Sequence, residues 1–372
     1  MVKKVLSICS IEPTRLGSFE EFIIAFTKKL TESGYEHVVA VVNKPIDLVY
    51  SKLISSGAKI ISFSETNSTY ENTLTFVKLI KQFSPSLVHF HFFPTPYQPI
   101  NLYCHLNNTP VVYTEHFSPN KPGKKLLKHG LKRVYYGILA QLFNIGIYKI
   151  ICVSKFIEEN HELYYHVKPG KLITIYNGLN LDRFNSISKA NQKNNPVVIC
   201  IAGLTERKGV QYLIKAAPLI IDQVSDVIFF IVGDGPYFDV LKDMVSDMNL
   251  EKYFVFTGYR NDVEQFLSMS NVSVVPSVCY EALSFAAMES LALSVPVVAS
   301  NIGGLKEVIE HEKTGFLVPP EDSDAIAKQV IELIKNPDIA TKYGLEGKNK
   351  IEQLFPQEKA VMKYIKIYED IL

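Results

Sequence analysis

The chain has 372 residues, more than one ordinary hydrophobic core accommodates, so its length implies two domains. Apolar residues at 47% and charged residues at 21% describe an ordinary soluble globular protein. The net charge of +1 excludes a global polyelectrolyte, so composition gives no sign of a nucleic-acid partner.

From the amino terminus, short β-branched runs predict strands at Val5–Cys9, His37–Val42, Lys59–Phe63, Leu87–Phe90, Val111–Thr114, Ile150–Val153 and Leu172–Tyr176. Between them lie helical patterns such as Phe19–Ser33, where Phe22, Ile23, Phe26 and Leu30 recur at helix spacing. Asn177-Gly178 ends the last of these strands, and the polar, aperiodic Ser186–Pro196 reads as a linker. The pattern then restarts with strands at Val197–Ile201, Val227–Val232, Tyr253–Phe256, Val272–Val275, Val297–Ala299 and Phe316–Val318, and helices such as Val210–Ile221. Short apolar strands alternating with helices predict parallel sheets covered on both faces, here two doubly wound α/β domains with a cleft between them. In such sheets ligands sit beyond the carboxyl ends of the strands. No GxGxxG follows the first strand and no GxxxxGK[ST] occurs, so neither an ordinary dinucleotide site nor a P-loop is indicated.

The five cysteines, Cys9, Cys104, Cys152, Cys200 and Cys279, form no CxxC pair, and at least three fall in strand-like runs. That argues against a zinc site or a disulfide framework and for a reducing compartment. The amino terminus starts like a signal peptide, but Glu12, Pro13 and Arg15 interrupt its short apolar run. No run approaches the roughly 20 apolar residues of a membrane span. The expected location is cytoplasmic, with peripheral contact at the inner face of the membrane left open.

The segment richest in chemistry runs from Val274 to Ala292. A strand gives way to a loop at Pro276, and a helix begins near Leu283–Ser284, just after Glu281. The amides of a first helical turn are donors suited to phosphate or sugar hydroxyls. Glu289 sits among Ala286, Ala287, Met288, Leu291 and Ala292, where a carboxylate needs hydrogen-bond partners such as ribose hydroxyls. Surface glutamates flanking a core helix would fit the same residues.

A glutamate, seven intervening residues and a second glutamate resemble the signature of retaining glycosyltransferase family four, also called group 1. The resemblance implies the GT-B fold: two Rossmann-like, doubly wound parallel-sheet domains facing a central cleft. It also implies that Glu281, Leu283, Ser284 and Phe285 meet the donor sugar and that Glu289 binds the nucleotide ribose. Ala202–Val210 resembles the family's strand–loop–helix whose basic residues, here Arg207 and Lys208, hold the donor diphosphate. Two cations at a helix start suit a departing diphosphate, although a solvated pair would look the same. Phe256–Tyr259 resembles the loop beside the nucleobase, which implies roles for Gly258 and Tyr259. Gly303-Gly304 and Thr314–Pro320 complete the pattern, and Phe355–Leu372 resembles the family's final helix, which returns to the first domain. His116, after the Val111–Thr114 strand, resembles the active-site histidine that contacts the transferred sugar. Gly17 occupies the place of a glycine-rich loop facing the diphosphate, where a glycine lets backbone approach closely. This chain departs from the family in having Leu16-Gly17 for two glycines, Gly203 for a common arginine, and Ala282 for a common glycine.

The expected domains are therefore residues 1–185, acceptor-side and joined by the helix 355–372, and residues 186–354, which bind the nucleotide-sugar donor. No cofactor and no metal are expected. The family's commonest donors are uridine diphosphate sugars. His89 and His91 share one strand face without an acidic partner, and Asp322-Ser323-Asp324 precedes a helix and reads as its cap. Lys121, Lys124, Lys125, Lys128, Lys132 and Arg133, interleaved with Leu126, Leu127, Leu131, Tyr135, Tyr136 and Ile138, fit two readings: an interfacial segment drawn to anionic lipid, or a solvated helix. A membrane face over 121–138 would suit a lipid-linked acceptor. The expected activity is hexosyl transfer with retention, from a nucleotide-diphosphate sugar to a glycan, lipid-linked or small-molecule acceptor in cell-surface polysaccharide or glycoconjugate synthesis. The rivals are a nucleotide-sugar epimerase or a phosphorylase on the same scaffold, and a non-catalytic nucleotide-sugar-binding protein.

Overall fold

The computed structural model describes residues 2–93, 98–117, 144–165, 169–185, 187 and 195–372, without the side chains of 162–165 and 169. The chain divides into two compact units, Met1–Gly178 with Gln357–Leu372, and Leu179–Pro356.

Among the described residues, the first unit carries seven parallel strands: β1 (Lys4–Cys9), β2 (Glu36–Val42), β3 (Ala58–Phe63), β4 (Leu87–His91), β5 (Val111–Glu115), β6 (Ile147–Cys152) and β7 (Leu172–Thr174), ordered β3-β2-β1-β4-β5-β6-β7. The second carries six: β8 (Val197–Ile201), β9 (Ile228–Val232), β10 (Phe254–Gly258), β11 (Val272–Val275), β12 (Val297–Ser300) and β13 (Gly315–Val318), ordered β10-β9-β8-β11-β12-β13. Each sheet reverses its winding direction once, between β1 and β4 and between β8 and β11. Such a reversal opens a crevice at the carboxyl ends of its two strands. The strands are nearly continuous apolar runs because both faces of a parallel sheet are covered.

Each unit has a hydrophobic core of its own residues. In the first unit the helix Ser18–Glu32 buries Phe22, Phe26 and Leu30, and Phe22 and Phe26 stack at 5.5 Å. They pack on Tyr364 and Tyr368 of the final helix, Gln357–Ile371. That helix buries Ala360, Val361, Tyr364, Ile365, Ile367 and Tyr368, a single apolar face at helical spacing. The second unit closes its chain ends on each other. Leu179 N–H donates to Phe355 O at 2.8 Å, and Arg183 pairs with Glu264 at 3.0 Å. Leu179–Asn185 therefore belong to the second unit, whereas a boundary after residue 185 assigns them to the first. The polar segment 186–196 suggested the later boundary, but backbone pairing and an ion pair draw the preceding residues into the second core. Among the described residues, no helix is long and apolar enough to cross a membrane.

Candidate active site

In the second unit, the loops that follow β8 and β11 meet where the strand order reverses. Beyond β8 the chain makes a one-turn 3-10 helix at Glu206–Lys208, then Gly209, then the helix Val210–Gln223. The two predicted cations thus lie in a tight turn ahead of the helix. Gly209 has φ +72°, and a Cβ there would lie 1.9 Å from the carbonyl oxygen of Pro276. Only a residue without a side chain permits this approach. Val278 N–H donates to Arg207 O at 3.0 Å, which fastens the same two loops.

The result is a compact charged cluster. Lys208 Nζ lies 2.8 Å from Glu281 Oε1, and the Ser277 hydroxyl donates to the same oxygen. Glu281 is buried, with 9% of its surface exposed, while Lys208 is about a quarter exposed, at 27%. Both partners bind Oε1, so Oε2 keeps its acceptor capacity for a ligand. The loop after β12 holds the backbone of Glu281: Gly304 N–H donates to Glu281 O at 2.8 Å, and a Cβ on Gly303 would stand 2.6 Å from that oxygen. Three loops therefore position one carboxylate.

Ser284 caps the helix Phe285–Ala292, its hydroxyl accepting from Ala287 N–H at 3.5 Å. The hydroxyls of Ser290, which donates to Ala286 O at 2.7 Å, and Ser273 of β11 hydrogen-bond at 2.8 Å and seat this helix on the sheet. Leu283 and Glu289 are buried and Phe285 is half-buried. Gly258 adopts φ +69° at the end of β10, and the neighbouring Tyr259 is exposed, as is Arg207. Asp322 caps the helix Ser323–Lys335 by accepting from Ala325 N–H at 2.8 Å, so the DxD is a cap.

The first unit places His116 just beyond β5, half-buried among aromatic rings. Phe92 stacks on it at 4.2 Å with an interplanar angle of 13°, and Phe19 meets it edge-on at 5.5 Å. Phe92 has φ +63°, a strained conformation for a bulky residue, and follows His91 directly. His91 Nδ1 lies 3.3 Å from His116 Nε2. Desolvation by these neighbours lowers the pKa of His116 below the ordinary histidine range, so the ring is neutral at pH 7. Gly17 caps the helix that carries Phe19, but its N–H donates to the Glu20 carboxylate at 3.0 Å. The basic segment 121–138 lies outside the described residues.

Sequence reasoning did not find Ser277, His91 or Phe92. His91 was legible only as a residue sharing a face with His89. Its contact with His116 arises because β4 pairs with β5, setting His91 opposite Thr114. Ser277, four residues before Glu281 at a strand end, carried the weak signal of a polar side chain in an otherwise apolar run.

Two family models match the chain, Glycosyltransferase Family 4 over residues 19–183 and Glycosyl transferases group 1 over residues 182–350. The chain belongs to the group 1 glycosyltransferases. Among its relatives, N-acetyl-alpha-D-glucosaminyl L-malate synthase of Bacillus anthracis is 31% identical over 228 residues, 58% of each chain. UDP-Gal:alpha-D-GlcNAc-diphosphoundecaprenol alpha-1,3-galactosyltransferase of Escherichia coli is 31% identical over 236 residues, 60% of this chain and 58% of the relative. The chain thus matches less than two thirds of the length of either. Its fold is the GT-B fold, shared with solved glycosyltransferase structures. Anabaena Alr3699/HepE in complex with UDP-glucose superposes with a TM-score of 0.79 at 18% identity, covering 99% of both chains.

Proposed function

We propose that this group 1 glycosyltransferase moves a hexosyl unit, with retention of anomeric configuration, from a nucleoside diphosphate sugar to an acceptor hydroxyl. The observation that carries the proposal is the Lys208–Glu281–Ser277 cluster, fixed by three loops at the strand-order reversal of the second unit. In this reading Lys208, helped by Arg207, offsets the charge that grows on the departing diphosphate. Glu281 Oε2 accepts from a sugar hydroxyl and supports the oxocarbenium-like state. Leu283, Ser284 and Phe285 line the sugar position with backbone amides, Glu289 takes the ribose, and Gly258 and Tyr259 flank the base. Gly17 and His116, from the first unit, meet the diphosphate and the transferred sugar. The bond from C1 to the β-phosphate oxygen breaks, the acceptor oxygen bonds C1 on the same face, and the acceptor proton passes to the leaving diphosphate.

A uridine diphosphate donor is supported by the UDP-glucose complex of the Anabaena neighbour. A lipid-linked acceptor in cell-surface polysaccharide or glycoconjugate synthesis, handled at the inner face of the membrane, is supported by the diphosphoundecaprenol in the name of the E. coli relative. The test is incubation with a panel of nucleotide sugars and candidate acceptors. Acceptor-dependent release of nucleoside diphosphate, abolished in Lys208→Met, is expected. An epimerised donor, or tight donor binding without turnover for every acceptor, would replace this reading with the epimerase or the binding protein.

A further inference from the structure

His116 has two ring nitrogens, and which of them carries the proton decides what it can offer a ligand. The hydrogen bonds of the first unit constrain that choice. Thr114 Oγ1 lies 2.8 Å from His89 Nε2 and 3.3 Å from the Tyr364 hydroxyl. The Tyr368 hydroxyl hydrogen-bonds to His89 Nδ1. Both ring nitrogens of His89 thus have a partner.

His91 lies against it, ring centroids 3.9 Å apart, and is completely buried. Its Nδ1 faces His116 Nε2 at 3.3 Å, and its Nε2 has no partner. One of the two facing nitrogens must donate and the other accept. If His116 were the donor, His91 would carry its proton on Nε2, a buried N–H with no acceptor, the kind of orphan that folded proteins avoid most strictly. With the proton on His91 Nδ1, only a weak ring lone pair goes unused.

The geometry points to His91 as a positioning residue that fixes the tautomer of His116: His91 Nδ1–H donates to His116 Nε2, so His116 presents Nδ1–H as a hydrogen-bond donor. Both rings are neutral, because desolvation lowers their pKa values, and at His91 the neighbouring histidines add to the effect. Phe92 on one face of His116 and Phe19 at its edge hold the ring where this bond can form. A neutral Nδ1–H suits an uncharged oxygen acceptor, such as a sugar hydroxyl. This use of the donor rests on the transferase reading above; the tautomer assignment does not.

The decisive measurement is nitrogen-15 NMR of the histidine rings in the unliganded protein at pH 7, with His116 assigned by its loss in His116→Gln. An unprotonated Nε2 and a protonated Nδ1 are expected for His116. His91→Leu should release the preference, and His91→Asn, whose amide nitrogen replaces Nδ1–H as a donor, should restore it. In turnover, His91→Leu should lower kcat roughly ten- to hundredfold with donor KM little changed, and His91→Asn should recover most of that loss. A protonated Nε2 on wild-type His116, or an unchanged tautomer in folded His91→Leu, overturns the inference. If the tautomer is as stated but His116→Gln transfers sugar at the wild-type rate, the transferase role of His116 fails and the tautomer assignment stands.

Discussion

Gly209→Ala is the substitution to which the second unit should be most sensitive for its size. At φ +72° an alanine costs about 1–2 kcal/mol through its own backbone. Its Cβ would also stand 1.9 Å from Pro276 O, where ordinary contact begins at 3.4 Å, so one loop must retreat by roughly 1.5 Å. Forcing a methyl into a packed site costs about 1–3 kcal/mol more, for a total of about 2–5 kcal/mol. The retreat pulls on Ser277 and Val278, and so on the 2.8 Å contact between Lys208 and Glu281. Gly203→Ala is the control, since nothing lies within 4 Å of a Cβ there. Urea denaturation of both variants measures stability, and the rise in melting temperature with a nucleotide sugar measures the site. Gly209→Ala should lose both stability and most of the ligand-induced rise, while Gly203→Ala should stay within about 0.5 kcal/mol of wild type. A Gly209→Ala protein as stable as Gly203→Ala, with an intact ligand response, would refute the argument that close backbone contact builds the cluster.

Glu281→Gln removes the ion pair but keeps an oxygen for Ser277, so stability should fall by only about 1 kcal/mol, discounted for the partly exposed Lys208, while kcat falls roughly a hundredfold or more; denaturation and nucleoside diphosphate release measure the two. Glu289→Ala should weaken nucleoside diphosphate binding by roughly tenfold or more without a comparable loss of kcat, read by calorimetry; unchanged affinity would remove the ribose assignment. Stability should fall on acidification from pH 7 to 5.5, read as a shift of the urea midpoint. Burial holds His37 down to about 3 and His89 and His91 well below their ordinary range, so between these pH values the unfolded chain binds protons that the native one refuses. Each ring then withdraws about 1.2 kcal/mol as the pH drops through the unfolded value near 6.5. Glu20 opposes the trend, because burial raises its pKa and its protonation favours the native state; a flat profile would contradict the neutral assignment of the three histidines.

Most of the described strands were legible because strands buried on both faces are runs of apolar residues in any context. Where an edge slipped, polarity explains it. The apolar pattern predicts the sixth strand from Ile150, but it begins at Ile147, since the exposed Tyr148 and the Lys149 aimed at Gly170 O interrupt that pattern. The glutamate pair and the basic turn were legible as residue types in a family's order. Their pairing was not. Lys208 and Glu281 are 73 positions apart and meet only because β8 and β11 are neighbours in a sheet whose order no local pattern encodes.

The two units position their polar groups by different means. In the second unit, backbone meets backbone without side chains between, at Gly209 on Pro276 and at Gly303 and Gly304 on the segment Tyr280–Ala282. In the first, rings do the work: Phe19, Phe92 and His91 surround His116, and Tyr364 and Tyr368 reach in from the far end of the chain to bond Thr114 and His89. A ring contact at 4–6 Å can adjust by a few tenths of an ångström, whereas a Cβ set 1.9 Å from a carbonyl cannot. Aromatic substitutions around His116 should therefore change its orientation and activity by degrees. Glycine substitutions around Glu281 should act as all-or-none lesions, because they part the loops that make the site.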